Sequence, residues 1–549
     1  MKPDQLCSRL SQLKSARSTY ESHWRECYQF GAPERQQSFS GGAVMGKERE
    51  TQRADLFDST AAESVQLLVA SIMSGVTPSN ALWFEAVPDG IDDPTDLNDG
   101  ERWLEDVCNF IFRNIHAANF DSEAPETVTD VTVAGWGVLF VDIDRDAGGG
   151  YVFESWAIGD CFIGSTRADG IVDTIYREHR MTAEAMINEY GENNCHTSIV
   201  ELARRNPNEL VKLLHVICPR KSKGAGQLAS DMPFAAYHID ITNKHMVKES
   251  GYHEFPCAVP RMRRIPNSLY GNGQMSYALP DAKSANRLMK TTLESADLAL
   301  GGMWIAEDDG VLNPHTMKIS ARMVIVANSI DSMKRLDDGT NFQVAEYLLT
   351  GLQGGIRKKL MADQLPPIGT QQMTATEINT RVALIRQMLG PVYGRFQAEY
   401  LIPILDRCFG LAFRSGALGA PPEELQGRNL SFRFTSPMAL AQRAEKVAAT
   451  EQFIASVAAA AEIEPTMLDN INFDAAAQIM GTGRGVPASV LRSADEIQQL
   501  RAERQKAQEA QAEQQQQQAM QEMAGQAMAK GLEGQMAQQM GGMDSEVMQ

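Results

Sequence analysis

The chain has 549 residues, of which 43% are hydrophobic and 22% are charged, and its formal net charge at pH 7 is −19. It is too long for one hydrophobic core, so we expect roughly three or four structural units. The acidic excess argues against tight wrapping of nucleic acid, because that mode of binding needs many Lys and Arg side chains to neutralise phosphates. With no long apolar run and no signal peptide, we expect a soluble product of the cytosol and no membrane partner.

The residue types that usually carry catalysis or bind metals are scattered along the chain. The eight cysteines form no Cys-x-x-Cys pair, and the nine histidines lack the spacing of a zinc enzyme. No serine stands in a nucleophile elbow. We therefore predict no catalytic residues, no metal site and no cofactor, and we expect the cysteines to be reduced core residues.

The first half of the chain predicts helices followed by strands. A helical apolar stripe includes Trp24, and a polar loop follows over residues 36–49. A capping box that begins at Thr60 predicts the start of a second helix, and a third helix is predicted over 101–120. Alternating or β-branched runs predict strands at 137–144, 150–156 and 173–181. Residues 1–265 are therefore predicted to be α+β.

The middle of the chain predicts a small β unit between two helices. A turn-rich stretch at 266–273 precedes a helix over 274–300. Short β-branched runs and turns then predict a β unit over 301–336, and the next helix is predicted over 341–361. Three glycines weaken that helix and predict a bend in it, namely Gly351, Gly354 and Gly355.

A very long helix is predicted after the β unit and its flanking helices. The paired prolines of a loop at 363–373 interrupt the helical pattern, and an apolar stripe then runs over 375–414. Kinks are expected in this helix at Pro391 and Pro403. After a linker at 416–422, a short strand and two Ala-rich helices are predicted before a Gln-rich tail, which we expect to be a helix frayed into disorder.

Three segments nearly match ligand-binding motifs. Residues 41–48 resemble a phosphate-binding loop, but Glu48 replaces the hydroxyl that ligates magnesium, so we interpret them as a surface loop. The acidic run from Asp142 resembles a calcium loop, but Phe153 occupies the position that needs Glu, which favours a hairpin with acidic edges. The glycines within 271–276 match a dinucleotide motif only in part, and no βαβ unit precedes them.

The order of the middle segments resembles the portal, or head-to-tail connector, proteins of short-tailed bacteriophages (podoviruses). The resemblance covers nearly the whole chain. The residues that carry it are the N-terminal helix with Trp24 and Pro33, and residues 58–84, 266–288, 302–314 and 384–405. Family likeness alone is an analogy, so the fold and function that it implies are expectations.

The resemblance implies a ring-forming, portal-type fold that is α+β and mostly α. The implied regions are an N-terminal wing at 1–265, a first stem helix at 266–300, a clip at 301–340, a second stem helix at 341–362, a channel loop at 363–373, a long wing helix and strand at 374–440, crown helices at 441–493 and a partly disordered tail at 494–549.

The resemblance also implies a function and a set of partners. It implies a homododecameric ring at one capsid vertex of the virion, assembled in the host cytoplasm, through which double-stranded DNA is packaged and ejected. The implied partners are the terminase motor, a tail adaptor, the major capsid protein and a scaffolding protein.

Candidate contact residues can be assigned to the implied regions. For the channel loop they are Gln364, Pro366, Pro367, Gln371, Gln372 and Met373. For the stem they are the cations Lys283, Arg287, Lys290, Arg357, Lys358 and Lys359, and for the clip they are Trp304, His315, Lys318 and Arg322. The alternatives are a solvated helix face or favourable cations at a helix C-terminus for the stem, a core position for Trp304, and a plain helix connection for the loop.

Two other classes of protein remain open on the sequence alone. An ATPase or nuclease of the packaging motor would need a strand-flanked phosphate loop or clustered carboxylates, which the sequence lacks. A scaffold or general interaction protein is favoured by the Gln-rich tail and disfavoured by the long folded body.

Overall fold

A computed structural model of the chain describes most of the first 461 residues. The described residues are 2–39, 55–79, 82–88, 98–144, 149–220, 228–301, 303–306, 333–336, 342–364, 390, 392–422, 425–426, 430–434 and 437–461, with short stretches between 466 and 520. The chain divides into two units. One comprises Met1–Val87, Asp106–Ala420 and Leu430–Thr435, and the other comprises Pro88–Glu105, Pro421–Asn429 and Ser436–Gln549.

Most of the described helical residues lie in ten α-helices. They are α1 (Pro3–Gly31), α2 (Thr60–Val76), α3 (Asn98–Ala117), α4 (Phe120–Val133), α5 (Ala183–Tyr190), α6 (Thr197–Arg205), α7 (Met275–Gly301), α8 (Phe342–Lys359), α9 (Ile402–Arg414) and α10 (Pro437–Ala461). Short 3₁₀ turns are found at Pro33–Phe39, Glu192–Asn194 and Ala362–Gln364, and a π-helical turn spans Gln397–Leu401. In the tail, residues 499–509 are helical and largely exposed.

The described strands form antiparallel pairs and sheets. They are β1 (Phe84–Pro88), β2 (Leu139–Ile143), β3 (Tyr151–Ser155), β4 (Cys161–Gly164), β5 (Thr174–Thr182), β6 (Leu210–Pro219), β7 (Phe234–Asp240), β8 (His245–Tyr252), β9 (Cys257–Ala258), β10 (Arg263–Arg264), β11 (Gly271–Asn272), β12 (Met303–Ala306), β13 (Met333–Leu336) and β14 (Leu430–Phe434). The largest sheet has the order β4-β5-β6-β7-β8, and a second has the order β3-β2-β9. This mixture of helices and strands confirms the predicted α+β class.

The five-stranded sheet is covered on both faces by helices. On one face, Leu6 and Leu10 of α1 pack against buried residues of four strands, including Tyr176 and Tyr237. On the other face, α5 and α6 pack on the ends of β6 and β8 around a smaller core that includes Leu213. Successive strand residues point to opposite faces, so the sheet contributes to two separate cores.

A buried arginine pairs with the π-helical turn inside the helical segment 392–414. Arg261 is 2% exposed and pairs with Glu399 in the π-helical turn, at 2.5 Å from Nη2 to Oε1. Its Nη1 also donates to the carbonyl oxygens of Gly170 and Leu269. The π turn lies directly before Pro403, whose missing N–H removes one helical hydrogen bond. The predicted kink at Pro403 therefore coincides with a change of helical register.

Two predictions about the N-terminal helices need correction. The cap of α2 is not Thr60, because the helix begins at that residue and Ser59 is its N-cap. Asp58 instead accepts the Thr60 N–H, while the Ser59 hydroxyl donates to Glu63. Helix α4 was not predicted at all, because its Thr and Val residues and its internal Pro125 are typical of strands and loops rather than helices.

The glycine-rich second helix of the middle region is unbroken. Helix α8 continues without interruption through Gly351, Gly354 and Gly355, so these glycines do not form a flexible turn, and the bend stays a prediction. Gly351 and Gly354 have open space around them, and Gly355 lies against Asp281. Each glycine weakens the helix by only about 1 kcal/mol relative to alanine, so the helix can continue through them.

Other predictions are borne out by the described residues. Strands β2, β3 and β5 lie within or largely overlap the three predicted strand segments, and β2 pairs with β3 as the predicted acidic-edged hairpin. Asp142 in β2 pairs with Arg407 at 3.1 Å, so this carboxylate is part of an ion pair. All eight cysteines are free, and all but Cys7 are buried, as predicted.

Candidate functional site

The predicted stem residues lie on a helical hairpin formed by α7 and α8. The two helices pack along each other, and small residues on α7 face the packed side, namely Ala278, Ala282 and Ala285. Gln274, just before α7, donates from Nε2 to the carbonyl oxygen of Lys359 at 2.6 Å. Lys359 Nζ also lies 2.5 Å from Asp281 Oδ2. The start of α7 is therefore fixed beside the end of α8.

The root of the hairpin depends on close backbone approach. Gly135 has φ +94°, and a Cβ on Gly273 would overlap the Val133 carbonyl oxygen and lie 2.6 Å from that of Thr132. A Cβ on Gly271 would overlap the carbonyl oxygen of Gly135. The glycines that resembled a dinucleotide motif thus let the chain entering α7 cross the end of α4 in direct backbone contact.

Asn286 ties α7 to the segment that leads into α2. Its Oδ1 accepts hydrogen bonds from the backbone N–H groups of Phe57 and Asp58, at 2.6 and 3.1 Å. Its Nδ2 donates to the carbonyl oxygen of Asp55 at 2.9 Å. One amide side chain therefore satisfies three backbone groups of residues 55–58 and fixes that segment against the hairpin.

The three predicted cations of α7 differ in their environments. Lys283 Nζ pairs with Glu26 Oε2 of α1 at 2.7 Å. Lys290 Nζ lies over the Phe57 ring, 5.7 Å from its centroid. Arg287 has no ion pair among the described residues. The positive charge on this face is thus partly neutralised at Lys283 and available to an external anion at Arg287.

The cations at the end of α8 also include one that forms an ion pair and others that do not among the described residues. Lys359 is held by Asp281, whereas Arg357 and Lys358 are exposed and have no ion pair within the described part of the chain. All three stand in the last turn of the helix, where a cation is favoured by the helix dipole. The alternative interpretation as helix-terminal cations therefore also fits their position.

The remaining predicted contact residues lie largely outside the described residues. Gln364 ends the 3₁₀ turn Ala362–Gln364, and Trp304 lies in β12, where it is paired in register with Arg335 of β13. The others cannot be placed because they fall outside the described ranges, namely Pro366, Pro367, Gln371, Gln372, Met373, His315, Lys318 and Arg322. The phosphate-loop-like residues 41–48 are also outside them.

Sequence reasoning missed the polar residues that position the hairpin. Asp58 is 6% exposed and accepts from Gln353 Nε2 of α8 at 2.7 Å, while Asn286 binds the backbone next to it. Their sequence separation gives no local signal, because each depends on tertiary contact. A polar residue on the apolar face of a helical stripe, such as Asn286 beside Ala282 and Ala285, is the one hint the sequence offers.

Two kinds of chemical centre are relevant to the described residues, namely a metal-binding cluster and an activated thiol. No cluster of three or more His, Cys, Asp or Glu among them could hold a metal ion. The contact between Cys27 and His23 does not activate the thiol, because burial raises the pKa of Cys27 to about 11. None of the described helices is both long and apolar enough to cross a bilayer.

Known proteins resemble the chain over almost its full length. A family model described as bacteriophage head to tail connecting protein matches residues 3–491. A "probable portal protein" of Bordetella phage BPP-1 is 26% identical over 528 residues, covering 92% of this chain and 91% of the relative. A "portal protein" of Salmonella phage epsilon15 is 26% identical over 523 residues, with coverage of 92% and 91%. Both phages are podoviruses. The chain therefore belongs to the bacteriophage head-to-tail connecting protein family.

Proposed function

We propose that the chain is a phage portal protein: a structural subunit of the virion rather than an enzyme. Identical copies form a homododecameric ring at one capsid vertex, through which double-stranded DNA is packaged and later ejected. The proposal is supported by the family match over residues 3–491 and by the names of the two relatives. Neither the phosphate-loop-like segment nor any other observation favours a packaging ATPase, a nuclease or a scaffold.

The order of elements supports an assignment of regions within the ring. Helices α7 and α8 serve as the stem helices, and the segment between them, which begins and ends in the paired strands β12 and β13, serves as the clip. The β-rich residues before 266 serve as the wing, and residues 363–373 serve as the channel loop. Helices beyond about residue 441 serve as the crown.

The observation that carries the proposal is the family match over residues 3–491, and three cations of the hairpin support a path for DNA along the proposed stem. Arg287, Arg357 and Lys358 have no ion pair within the described part of a chain whose net charge is −19, so these three side chains are the stem cations proposed to attract phosphates. Ring symmetry repeats each cation once per subunit and turns it into a belt. A belt with few cations per subunit attracts the phosphate backbone weakly enough for DNA to slide, because affinity rises steeply with each phosphate neutralised.

The clip and the channel loop complete the path of the DNA and its partners. Trp304, His315, Lys318 and Arg322 are the proposed contacts with the terminase motor and later with the tail adaptor, because aromatic and cationic side chains suit an interface. The amides of Gln364, Gln371 and Gln372 are proposed to touch phosphates without strong charge attraction. The wing and crown contact the major capsid protein and the scaffolding protein.

The mass of the purified full-length protein tests the ring directly. Native mass spectrometry is expected to give a single closed assembly of about twelve chains, and electron microscopy is expected to show a ring with a central channel. Assemblies should persist at high salt if subunit contacts are largely apolar. A stable monomer under all conditions that permit folding would contradict the proposal, as would ATP hydrolysis that copurifies with a monomer.

A further inference from the structure

Four residues form a continuous row across the five-stranded sheet. Arg177 of β5 lies directly opposite His215 of β6, His215 lies opposite His238 of β7, and His238 lies opposite Lys248 of β8. The rings of His215 and His238 stack with centroids 4.2 Å apart and planes 17° apart. Like charges directly opposite one another destabilise antiparallel strands, so a row that begins with Arg and ends with Lys requires neutral imidazoles between them.

The histidines have little means of accommodating an extra proton. His215 is 6% exposed, and its Nε2 is buried without a hydrogen-bond partner among the described residues. His179 lies two residues after Arg177 on the same face of β5. Its Nδ1 is also buried and has no hydrogen-bond partner among the described residues. Protonation of either nitrogen would bury an N–H without an acceptor, which costs free energy in addition to the cost of the charge itself.

The charged groups around the rings are mostly positive. Burial, followed by the charges of Lys248 and His179, lowers the pKa of His238 to about 3. Burial and Arg177 lower the pKa of His179 to about 4, against an opposing contribution from Glu154. Burial and neighbouring His and cationic groups hold the pKa of His215 well below its ordinary value.

The acidic neighbour from β3 is already engaged. Glu154 accepts hydrogen bonds from Arg177 at 3.2 Å and from Trp156 Nε1 at 2.8 Å, and its side chain is 49% exposed. The negative charge of Glu154 would therefore do little to offset the positive charge of protonated histidines in the row. From α5, the Tyr190 hydroxyl is hydrogen-bonded to His238 Nδ1 at 3.1 Å, and burial followed by the charge of Glu189 raises the pKa of Tyr190.

We propose that this histidine row is an acid-sensitive latch that keeps α5 and α6 on the sheet at neutral pH and releases them when the rings take up protons. The two helices are the part that opens, because they are short and rest on a small core. The strands themselves are held from the opposite face by α1 and the larger core that includes Leu214 and Val216. Release would remove the Tyr190 contact and expose His238 to water, while Phe140 and Trp156 would still lie against His215 on the same face.

Hydrogen exchange of the full-length protein at pH 7.5 and 5.0 tests the latch. After correction for intrinsic exchange, opening should become easier at pH 5.0 by up to roughly thirtyfold for each histidine that regains an ordinary pKa near 6.5. We expect the amides of α5 and α6 to exchange at least about tenfold faster at pH 5.0, while those of α4 stay within about twofold. An equal acceleration in α4 would overturn the proposal, because it would indicate general loosening.

A variant pair separates the latch from other acid effects. His215→Phe keeps an aromatic ring against His238 and removes the titrating nitrogens, so the acceleration in α5 and α6 should fall by at least about fivefold. His253→Phe makes the same chemical change at an exposed histidine and should leave the acceleration unchanged. The proposal is wrong if both variants respond as the parent does.

A second measurement on the unmodified protein holds even if His215→Phe does not fold. Exchange of the ring C2 hydrogens reports the titration of each histidine. In the closed state, His238 should titrate below about pH 5, and the pKa of His215 should lie well below its ordinary value because the ring is buried. Titration of His215 near its ordinary value of about 6.5, with α5 and α6 still protected, would show that the row accepts a proton without opening. This test is independent of whether the chain forms a ring.

Discussion

Gln353 of α8 donates a hydrogen bond from Nε2 to Oδ2 of Asp58 at 2.7 Å, although the two residues are separated by most of the described chain. The other carboxylate oxygen of Asp58 accepts the N–H of Thr60 at 3.0 Å, at the first residue of α2. A single buried carboxylate therefore caps one helix and fixes a second. With Asn286 on α7, it makes residues 55–58 the point where both helices of the hairpin are tied to the rest of the first unit.

Replacing this carboxylate should cost stability. Asp58→Ala removes the acceptor of the Thr60 N–H at the start of α2 and leaves the Gln353 amide without its acceptor, so we expect a loss of about 2–4 kcal/mol in the free energy of unfolding. Chemical denaturation of the purified variant and parent measures this difference in the free energy of unfolding. Asp55→Ala is the matched control, because Asn286 uses only the backbone carbonyl of Asp55, and it should cost under about 0.5 kcal/mol. Equal losses for the two variants would contradict the structural role of Asp58.

Two glycine-to-alanine changes should have opposite effects on the stability of the folded protein. Gly273→Ala places a Cβ against the carbonyl oxygens of Val133 and Thr132, which belong to backbone and cannot move aside, so we expect a loss of about 3 kcal/mol or more. Gly351→Ala adds a Cβ in open space within α8 and should stabilise the helix by up to about 1 kcal/mol. Thermal unfolding of both variants beside the parent checks the signs. A stable Gly273→Ala protein would show that the crossing at the hairpin root is loose.

The long helices could be predicted from the sequence because their apolar stripes and flanking turns are local signals. Residues 274–300 and 341–361 were predicted to within about two residues of α7 and α8. Helix α4 could not be predicted, since its buried Thr and Val residues are held in a helix by packing that overrides propensity. Likewise, Gly351 and Gly354 do not interrupt α8, since a glycine inside a helix costs only about 1 kcal/mol relative to alanine.

The sequence predicted which residue types belong to the candidate site, but it did not predict which other residues they contact. The sequence placed Lys283, Arg287 and Lys290 on one helix face. It could not show that Lys283 pairs with Glu26, because that residue is distant in the chain. The partners that decide which cations are available come from tertiary structure, and so does the reason for the glycines at 271 and 273.

The buried carboxyl group of Asp160 should make the stability of the protein depend on pH. Burial raises the pKa of Asp160 to about 6, against the lowering effect of Arg177. The folded protein therefore holds this proton more tightly than the unfolded chain, and the resulting stability is full below about pH 3.8 and lost as pH rises through about 6.

Asp160→Asn should remove this dependence. At pH 7.5 we expect the variant to exceed the parent by about 1–3 kcal/mol in the free energy of unfolding, and the difference should shrink toward about pH 4. Denaturation at several pH values gives the comparison. Asp142→Asn, which removes a partner of Arg407, should instead lower stability at pH 7.5. A pH-independent difference between Asp160→Asn and the parent would refute the assignment.

Arg287, on the proposed stem, is expected to contribute to the attraction of DNA. Arg287→Gln should reduce the dependence of DNA binding on salt, by about 0.9 in the slope of log K against log salt for each phosphate that is no longer neutralised. Binding of assembled protein to short duplexes at several salt concentrations measures this slope. Arg204→Gln, at an exposed arginine of α6, is the control and should leave the slope unchanged. If both variants behave alike, the hairpin does not contact DNA.

The proposed channel loop should respond strongly to added charge. Gln371 and Gln372 are uncharged, so contacts with phosphates through their amides hold weakly and release easily. The double change Gln371→Lys and Gln372→Lys adds two cations per subunit, and each would attract phosphates in its own right. We expect rings of normal mass but slower DNA packaging and ejection, with the difference from the parent shrinking as salt is raised. Changing Gln371 and Gln372 to Asn keeps the amides and serves as the control, with rates near those of the parent. Packaging and ejection at parental rates in the lysine variant, at both low and high salt, would mean that residues 363–373 do not face the DNA.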